Sequence, residues 1–172
     1  MIETERLKFR RLTFDDLPLL IEQRSDPEVN KYLGGTRLQN PEAIEKRLKF
    51  YISCYEKFGF GNCVMIWKED GRVIGTAGLQ PLEDSGEIEV GYSMIKEFWG
   101  RGIGTEAARG WLEYGFNVAG LERIVAVAMV GNAASRRIME KLGMRFEKDE
   151  MHYDELCAYY GVSKQEFFAR QY

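Results

Sequence analysis

Histidine and cysteine, the usual ligands of structural metal sites, are scarce in this chain. Its 172 residues include one histidine and three cysteines, which are Cys54, Cys63 and Cys157. The cysteines show no Cys-x-x-Cys spacing and their odd number leaves one thiol unpaired, so we expect reduced thiols in a cytoplasmic protein without a metal site. A histidine-based catalytic triad has His152 as its one candidate, and we interpret His152 as a surface or strand residue.

An excess of basic charge and long apolar runs are also missing. The chain has 24 Lys and Arg residues against 27 Asp and Glu residues, a net charge of −3, whereas proteins that coat nucleic acids carry a basic excess. No apolar run approaches the roughly 20 residues that span a bilayer, and Met1–Arg10 lacks the apolar stretch of a secretory signal. We therefore expect neither a nucleic acid nor a membrane as a partner.

The composition is that of one globular domain over residues 1–172. Hydrophobic residues make up 45% of the chain and aromatic residues 13%, which is enough for a single core at this length. No segment has the composition of a linker, and no internal repeat is present.

Hydrophobic periodicity predicts seven strands and five helices. The predicted strands are Leu7–Leu12, Cys63–Lys68, Val73–Leu79, Glu87–Met94, Ile124–Val130, Arg145–Glu150 and Leu156–Gly161. The predicted helices are Phe14–Arg24, which a break at Asp26-Pro27 follows, Asn40–Gly59, Thr105–Ala119, Asn132–Leu142 and a short helix capped by Ser163. This order predicts an α/β fold in which one mixed sheet carries helices on its faces.

The most informative stretch is a glycine-rich loop between a predicted strand and a predicted helix, Trp99-Gly100-Arg101-Gly102-Ile103-Gly104-Thr105-Glu106-Ala107. Glycines let backbone N–H groups approach a ligand closely. The start of a helix presents free N–H groups and a positive dipole end to an anion. A phosphate is therefore the expected ligand of this loop.

Three other interpretations of the loop compete with a phosphate cradle. A Walker loop is rejected because Thr105 follows Gly104 with no lysine between them. The dinucleotide pattern Gly-x-Gly-x-x-Ala fits Gly102, Gly104 and Ala107. However, the acidic Glu122 lies before the next strand, and the loop follows an antiparallel meander instead of opening a β-α-β unit. A plain tight turn needs only one glycine, so phosphate binding is favoured.

Two segments carry a family resemblance. The first joins Glu89-Val90-Gly91-Tyr92 to the glycine loop, and the second joins Gly131-Asn132-Ala133-Ala134-Ser135 to Lys141-Leu142-Gly143-Met144. Together they resemble the two motifs of GNAT acetyltransferases, and most closely the RimJ/RimL type that acetylates ribosomal-protein N-termini. The resemblance covers nearly the whole chain and implies a central mixed, mostly antiparallel sheet of about six to seven strands flanked by helices. Trp99 replaces the Gln or Arg of the general GNAT pattern, a departure that the RimJ/RimL type shares.

The resemblance implies an enzyme that transfers an acetyl group from acetyl-CoA to a primary amine by direct attack. The backbone amides that it assigns to the CoA pyrophosphate are those of Arg101, Gly102, Ile103, Gly104 and Thr105. Met94 and Ile95, at the end of their strand, would meet the pantetheine arm and the thioester carbonyl. A strand that splays at this point leaves N–H groups free to stabilise the developing oxyanion.

The second motif adds polar and basic residues to the implied cofactor site. Asn132 is a helix N-cap candidate, and the family also uses it to bind the pantetheine arm. A basic cluster near the two helix starts comprises Arg101, Arg136, Arg137 and Lys141. We expect one or two of these side chains, Arg137 among them, to pair with the phosphates of CoA.

The resemblance also assigns the proton transfers. Glu89 matches the strand carboxylate that serves as general base, directly or through a water molecule, and Glu87 is a second candidate because alternation along a strand places it on the same face. Water alone is the third alternative for the base. Ser135 is the candidate general acid for the leaving thiolate. Met139 occupies the position where many GNAT enzymes have a proton-donating tyrosine.

The acceptor amine is the least determined part of the prediction. The expected acceptor pocket lies between segments 26–55 and 145–160, whose acidic and aromatic residues are Glu28, Tyr32, Tyr51, Tyr55, Tyr153, Asp154 and Glu155. A protein N-terminus is the acceptor that the resemblance favours, and a polyamine, an amino acid or an aminoglycoside are alternatives. A CoA-binding regulatory module without catalysis and a nicotinamide-binding enzyme are the other hypotheses. A monomer and a homodimer are both open.

Overall fold

The computed structural model describes residues 2–33 and 40–169. Within these ranges the strands are β1 (Leu7–Arg11), β2 (Asn62–Trp67), β3 (Val73–Pro81), β4 (Ile88–Met94), β5 (Arg123–Met129), β6 (Arg145–His152) and β7 (Glu155–Ser163). The helices are α1 (Leu17–Ser25), α2 (Pro27–Asn30), α3 (Pro41–Phe58), α4 (Ile103–Asn117), α5 (Ala133–Lys141) and α6 (Lys164–Ala169).

All seven of these strands form one sheet, in the order β1-β2-β3-β4-β5-β7-β6. Every neighbouring pair is antiparallel except β4 and β5, which run parallel. This confirms the expected mixed, mostly antiparallel sheet. Because α4 connects β4 to β5, the glycine loop does open a β-α-β unit, and the expectation that it only follows a meander is wrong. The strand β4 ends the meander and also begins the crossover.

The parallel pairing of β4 with β5 is very short. The two strands share the single residue pair Glu89 and Val125, whereas β4 pairs with β3 along its whole length. Beyond Glu89 the two strands diverge, so the rest of β4 has one edge that no described strand covers. The predicted splay of this strand is therefore present.

One predicted helix is divided in two. The segment Phe14–Arg24 forms a short 3-10 turn at Phe14–Asp16 and then α1. The carboxylate of Asp16 accepts hydrogen bonds from Arg10 at 2.7 and 2.8 Å. Pro18, in the first turn of α1, has no N–H group to donate to a preceding carbonyl. These two features delay the start of the regular helix.

Two other boundary signals act as helix caps. The side chain of Asn40 accepts a hydrogen bond from the N–H group of Ala43 at 2.6 Å, and α3 ends at Gly59 in the left-handed conformation. Both ends of α3 therefore lie where the sequence predicts them. At the predicted break, Asp26 caps the short helix α2 through the N–H group of Glu28 at 2.9 Å, so the break is also a helix start.

Two apolar clusters lie on opposite faces of the sheet. On one face, Trp111 of α4 packs against Phe9 of β1, with ring centroids 5.6 Å apart. On the other face, Leu48 of α3 packs over Val64 of β2. Because Val64 and the neighbouring Met65 alternate along β2 and belong to different clusters, the sheet is covered by α4 on one side and by α1 and α3 on the other.

The start of α4 is tied to the N-terminal segment through Glu106. Its carboxylate accepts hydrogen bonds from Thr4 Oγ1 at 2.6 Å, from the Arg6 N–H group at 2.8 Å and from Arg6 Nε at 2.6 Å. Arg6 also donates to the carbonyl oxygen of Arg101 at 3.1 Å. Burial disfavours the charged carboxylate, but these hydrogen bonds outweigh it and hold the pKa of Glu106 below its usual range. Arg6 thus anchors both the glycine loop and the helix that follows it.

None of the helices within the described ranges combines the length and the apolar character needed to cross a bilayer. Over the same residues, no group of three or more His, Cys, Asp or Glu side chains is arranged to hold a metal ion. The thiols of Cys54, Cys63 and Cys157 are free and buried.

We expect Glu106→Gln to lower the free energy of unfolding by about 1–3 kcal/mol at neutral pH, because a neutral amide cannot make the charge-assisted bonds to Thr4 and Arg6. Since the pKa of Glu106 lies below its ordinary value of 4.5, the contribution of the carboxylate is present above that pH and is lost as the pH falls through the folded-state pKa. Urea titrations at about pH 7 and about pH 3 test this.

The matched control is Glu113→Gln on the same helix, whose carboxylate forms no ion pair within the described residues. That substitution should change the free energy of unfolding by less than ~0.5 kcal/mol. A loss for Glu106→Gln that is equal at the two pH values would contradict the role assigned to its charge.

Candidate active site

A cavity of about 510 Å³ opens where β4 and β5 diverge. The glycine loop and the first turns of α4 and α5 border one end of it, which we call the loop end. The helices α1, α2 and α3 and the hairpin between β6 and β7 border the other end, which we call the acceptor end. The cavity therefore joins the predicted cofactor loop to the predicted acceptor segments in one continuous space.

The glycine loop presents backbone N–H groups to the loop end. Gly100 and Gly102 have φ angles of 71° and 77°, a conformation that glycine adopts without strain. The first backbone bond of α4 runs from the N–H group of Glu106 to the carbonyl of Gly102, so the N–H groups of residues 103–105 have no preceding turn to donate to. A Cβ atom on Gly104 would lie 2.9 Å from the nearest side chain of α5. This arrangement fits a pyrophosphate.

The basic cluster divides between the cavity and the surface. The Arg101 guanidinium lies 4.8 Å from the ring centroid of Phe98 and 5.1 Å from a neighbouring tryptophan ring, and the residue does not border the cavity. Arg136 donates to the hydroxyl of Tyr160 at 3.2 Å. Arg137 and Lys141 do border the cavity. Two of the four cluster members therefore border the loop end of the cavity, and Arg101 and Arg136 do not.

At the end of β4, the backbone N–H groups of Met94 and Ile95 are both expected at the thioester, but only that of Met94 is available to a ligand. The N–H group of Ile95 donates to the carbonyl of Ile74 on β3 at 2.9 Å, so the expectation that this amide meets the thioester is wrong. Because alternate residues of a strand direct their N–H groups to opposite neighbours, the amide of Met94 faces the open edge. Trp99, 43% exposed, donates its indole N–H to the carbonyl of Met94 at 2.9 Å and closes the end of the strand.

Glu89 is the carboxylate at the centre of the cavity wall. It is 4% exposed, and its Oε1 accepts hydrogen bonds from Gln80 Nε2 at 2.6 Å and from the hydroxyl of Tyr153. Burial raises the pKa of Glu89, against the opposing effect of these two bonds and of the positive charge on Arg47. A carboxylate with a raised pKa is a better base than an exposed one.

Glu87 does not share this position. The strand β4 begins at Ile88, one residue later, and the carboxylate of Glu87 accepts a hydrogen bond from Arg123 Nε at 3.1 Å outside the cavity. Arg123 also pairs with Glu147 at 2.7 Å. The expectation of two carboxylates on one strand face is therefore wrong, because an ion pair holds Glu87 at the surface.

Ser135 and Tyr92 form a hydroxyl pair at the loop end. Their oxygens are 2.9 Å apart, and both residues border the cavity. The side chain of Asn132 accepts a hydrogen bond from the N–H group of Ser135 at 3.1 Å, which confirms its interpretation as an N-cap. Burial raises the pKa of Tyr92 to about 12, against the hydrogen bond with Ser135. Met139 is buried and borders the same cavity.

His152 ends β6 as a strand residue, but it is not at the surface. It is 7% exposed, borders the cavity, and places its two ring nitrogens 2.8 Å from Glu83 and 3.0 Å from Glu150. The surface interpretation fails because the β6–β7 hairpin folds over the acceptor end. The turn of that hairpin is Tyr153-Asp154, two residues with φ angles of 53° and 62° that match a type I′ turn.

The acceptor end contains most of the residues expected there and several that sequence reasoning missed. Glu28, Tyr32, Tyr51, Tyr153 and Glu155 border it. Tyr55 does not, because its hydroxyl lies 2.7 Å from the sulfur of Cys63 elsewhere in the core, and Asp154 does not border it either. The cavity residues that the sequence analysis did not predict include Arg24, Arg47, Asn62 and Gln80.

The sequence matches the family described as the acetyltransferase (GNAT) domain over residues 6–145. It is 31% identical over 151 residues to YoaA, an uncharacterized N-acetyltransferase of Bacillus subtilis, covering 86% of this chain and 84% of that protein. It is 30% identical over 145 residues to the N-acetyltransferase p20 of Bacillus licheniformis, covering 84% and 82%. A GNAT-family acetyltransferase structure from Bacillus anthracis superposes with a TM-score of 0.78 at 27% identity, covering 96% of this chain and 99% of that one.

Two further structures of lower identity share the fold. The ribosomal-protein-S5-alanine acetyltransferase of Vibrio fischeri superposes with a TM-score of 0.73 at 20% identity, covering 96% and 97% of the two chains. An aminoglycoside acetyltransferase in complex with coenzyme A superposes with a TM-score of 0.79 at 17% identity, covering 96% and 99%. These two structures share one fold but are named for different acceptors, so the fold alone does not determine the acceptor. With its family model matched and a cavity suited to the acyl carrier, the chain belongs to the GNAT family of acetyl-CoA-dependent N-acetyltransferases.

Proposed function

We propose that this N-acetyltransferase works by direct attack of a primary amine on acetyl-CoA, with Glu89 as general base and Ser135 as general acid. The observation that carries the proposal is the buried carboxylate of Glu89 in the wall of the same cavity as the glycine loop. No covalent enzyme intermediate is required, because the glycine loop and the acceptor segments border the same cavity, in which the cofactor arm and the acceptor would meet.

The base acts on the ammonium form of the acceptor. An amine attacks only after it has lost its proton, and a carboxylate with a raised pKa accepts that proton more readily. Gln80 and Tyr153 hold the carboxylate in place by donating to Oε1, which leaves Oε2 for the acceptor or for a connecting water. Ionised Glu89 also attracts the cationic acceptor before the proton is transferred.

Residues at the loop end act on the cofactor. When bound, acetyl-CoA supplies the electrophilic thioester carbon. The backbone amides of residues 101–105 and the side chain of Arg137 would hold its phosphates. The amide of Met94 would donate to the thioester carbonyl, where negative charge develops during attack. Asn132 would bind the pantetheine arm with the amide hydrogens that its N-cap bond leaves free.

The Ser135–Tyr92 pair provides the proton for the leaving thiolate. The Ser135 hydroxyl borders the cavity, and Tyr92 lies within hydrogen-bond distance of it on the buried side. The raised pKa of Tyr92 keeps its hydroxyl protonated, so Tyr92 can pass a proton to Ser135 as Ser135 protonates the thiolate, and solvent water then returns a proton to Tyr92.

The acceptor that the family resemblance favours is a protein N-terminal amine. The Vibrio fischeri neighbour is named for a ribosomal protein, whereas other neighbours are named for an aminoglycoside and for spermidine. All residues proposed for the reaction belong to one chain, so a monomer and each half of a homodimer would both contain a complete site.

Glu89→Gln should lower kcat by about 10²–10⁴-fold, because an amide cannot accept the proton of the acceptor. The acidic limb of the pH profile, which the raised pKa places above the ordinary value of 4.5, should disappear in the variant. Release of free CoA thiol with an amine acceptor measures both quantities.

The matched control is Glu87→Gln. Glu87 lies two residues before Glu89 and its carboxylate belongs to a surface ion pair, so this substitution should change kcat by no more than about twofold. An unchanged kcat for Glu89→Gln, with the acidic limb retained, would remove Glu89 from the mechanism. A wild-type chain that binds acetyl-CoA but acetylates no amine would support the regulatory-module hypothesis instead.

Ser135→Ala should lower kcat by about 10²-fold and leave the affinity for CoA within about twofold, because a proton donor contributes to the transition state and not to cofactor binding. Ser53→Ala is the control and should retain wild-type kcat, because Ser53 of α3 does not border the cavity. Full activity of Ser135→Ala would show that solvent protonates the thiolate.

Gly102→Ala should weaken CoA binding at least about tenfold, because a side chain at a φ of 77° strains the turn that directs the amides of residues 103–105. Gly71→Ala at the distant β2–β3 turn, with a φ of 75°, carries the same strain and should keep wild-type affinity.

Thermal melting measures CoA binding in these variants. CoA at 100 times its Kd should stabilise the wild type by ~2.7 kcal/mol, which raises the melting temperature by roughly 5–10 °C. NADH should cause no shift, and a shift with NADH alone would contradict the assignment.

A further inference from the structure

Two arginines from different helices meet at the acceptor end of the cavity. Arg24 of α1 donates to the carbonyl of Leu33 at 2.8 Å, and Arg47 of α3 lies 5.6 Å from the ring centroid of Tyr51 and 5.1 Å from that of Tyr153. Both arginines border the cavity. Guanidinium groups remain charged inside proteins, so this wall carries two positive charges.

The two charges are close enough to affect one another. Burial lowers the pKa of Arg24, and the positive charge of Arg47 lowers it further. Among the described residues no carboxylate forms an ion pair with the Arg47 guanidinium, whose close neighbours are aromatic rings. Tyr51, Tyr153 and the more distant charge of Glu89 together raise the pKa of Arg47, against the opposing effect of burial, so one carboxylate balances part of the positive charge of this wall. The other carboxylates of the acceptor end, Glu28 and Glu155, have partners of their own. Two adjacent guanidinium groups in a low-dielectric wall favour an anion.

The opposite side of the acceptor end accepts hydrogen bonds. The Nε2 of Gln80 donates a hydrogen bond to Glu89, and the buried Oε1 of Gln80 has no partner within the described residues. The same holds for the buried Oδ1 of Asn62, which also borders the cavity. Unpaired buried acceptors are costly, and the N–H groups of an ammonium ion would satisfy them.

The side chain of Tyr153 connects these two regions. Its hydroxyl donates to Glu89, and its ring lies 5.1 Å from the guanidinium of Arg47. Tyr153 therefore contacts both the cation-binding carboxylate and the anion-binding arginine, whose charges are close enough to interact. A molecule whose ammonium group and carboxylate are a few bonds apart can reach both.

We infer that the acceptor of this enzyme carries a carboxylate a few bonds from its reactive amine, with the amine at Glu89 and Gln80 and the carboxylate at Arg47 and Arg24. This inference rests on the proposed function of Glu89. A free amino acid has the required chemistry, and so does a peptide N-terminus that is followed by an acidic side chain. A polyamine does not, because it would place a second ammonium group against two guanidinium groups.

The test compares pairs of acceptors in which one has a carboxylate near the amine and the other has a neutral carboxamide in its place. Amino acids should be acetylated with a kcat/KM about 10–150-fold above that of their α-carboxamides, the range for hydrogen bonds to a charged group. The carboxamides have the more readily deprotonated amine, so without an anion site they would react faster. Two C-terminally amidated peptides, one that begins Ala-Asp and one that begins Ala-Asn, differ only in a side-chain carboxylate. A higher kcat/KM for the Ala-Asp peptide would identify a peptide N-terminus as a source of the carboxylate, and equal values would leave the free amino acid.

Arg47→Gln should raise KM for the carboxylated acceptor at least tenfold and abolish the preference over the carboxamide, while KM for acetyl-CoA is unchanged. Arg47→Lys should restore part of the preference. Lys46→Gln removes a charge from the exposed neighbouring position and should retain the full preference. Arg24→Gln, tested in the same way, keeps the inference falsifiable if Arg47→Gln does not fold.

The outcomes separate this inference from the proposed function. Equal or faster acetylation of carboxamides or of spermidine by the wild type would overturn the anion site and leave the acetyltransferase mechanism intact. A preference for carboxylates that survives in both arginine variants would also overturn it. A complete absence of acetylation with every amine would overturn the proposed function and the inference together.

Discussion

The divergence of β4 from β5 is the constraint on which the rest of this structure depends. The two strands pair at Glu89 and Val125 and then separate, which leaves one edge of β4 without a strand partner and opens the cavity. The crossover through α4 places the glycine loop at one end of that edge. The helices α1 and α3 and the β6–β7 hairpin enclose the other end. In the proposed mechanism, a thioester that spans this gap meets an amine beside Glu89.

The parts of the fold and site that the sequence predicts are those set by local patterns. The turn at Gly100 and Gly102, the N-cap of Asn132 and the strand β5 each depend on neighbours in the chain, and the sequence predicts each of them to within one residue. Glu89 was identified through a family motif that is itself a local pattern.

The parts that escape prediction depend on contacts between distant segments. Arg47 lies within a helical stripe of apolar residues, and only the packing of α3 against the hairpin places its charge beside Tyr153. His152 is buried because that hairpin folds over the cavity. Distant contacts also keep two predicted residues out of the site. Glu87 forms an ion pair with Arg123 at the surface, and the N–H group of Ile95 donates to a carbonyl of β3. No local pattern encodes these partners.

The most direct test of the central claim is a crystal structure of the protein with CoA. We expect the pyrophosphate oxygens to lie within hydrogen-bond distance of the N–H groups of residues 103–105, and the pantetheine arm to run between β4 and β5 with its sulfur near Ser135. A pyrophosphate bound elsewhere, with the gap between β4 and β5 closed by side chains, would contradict that claim.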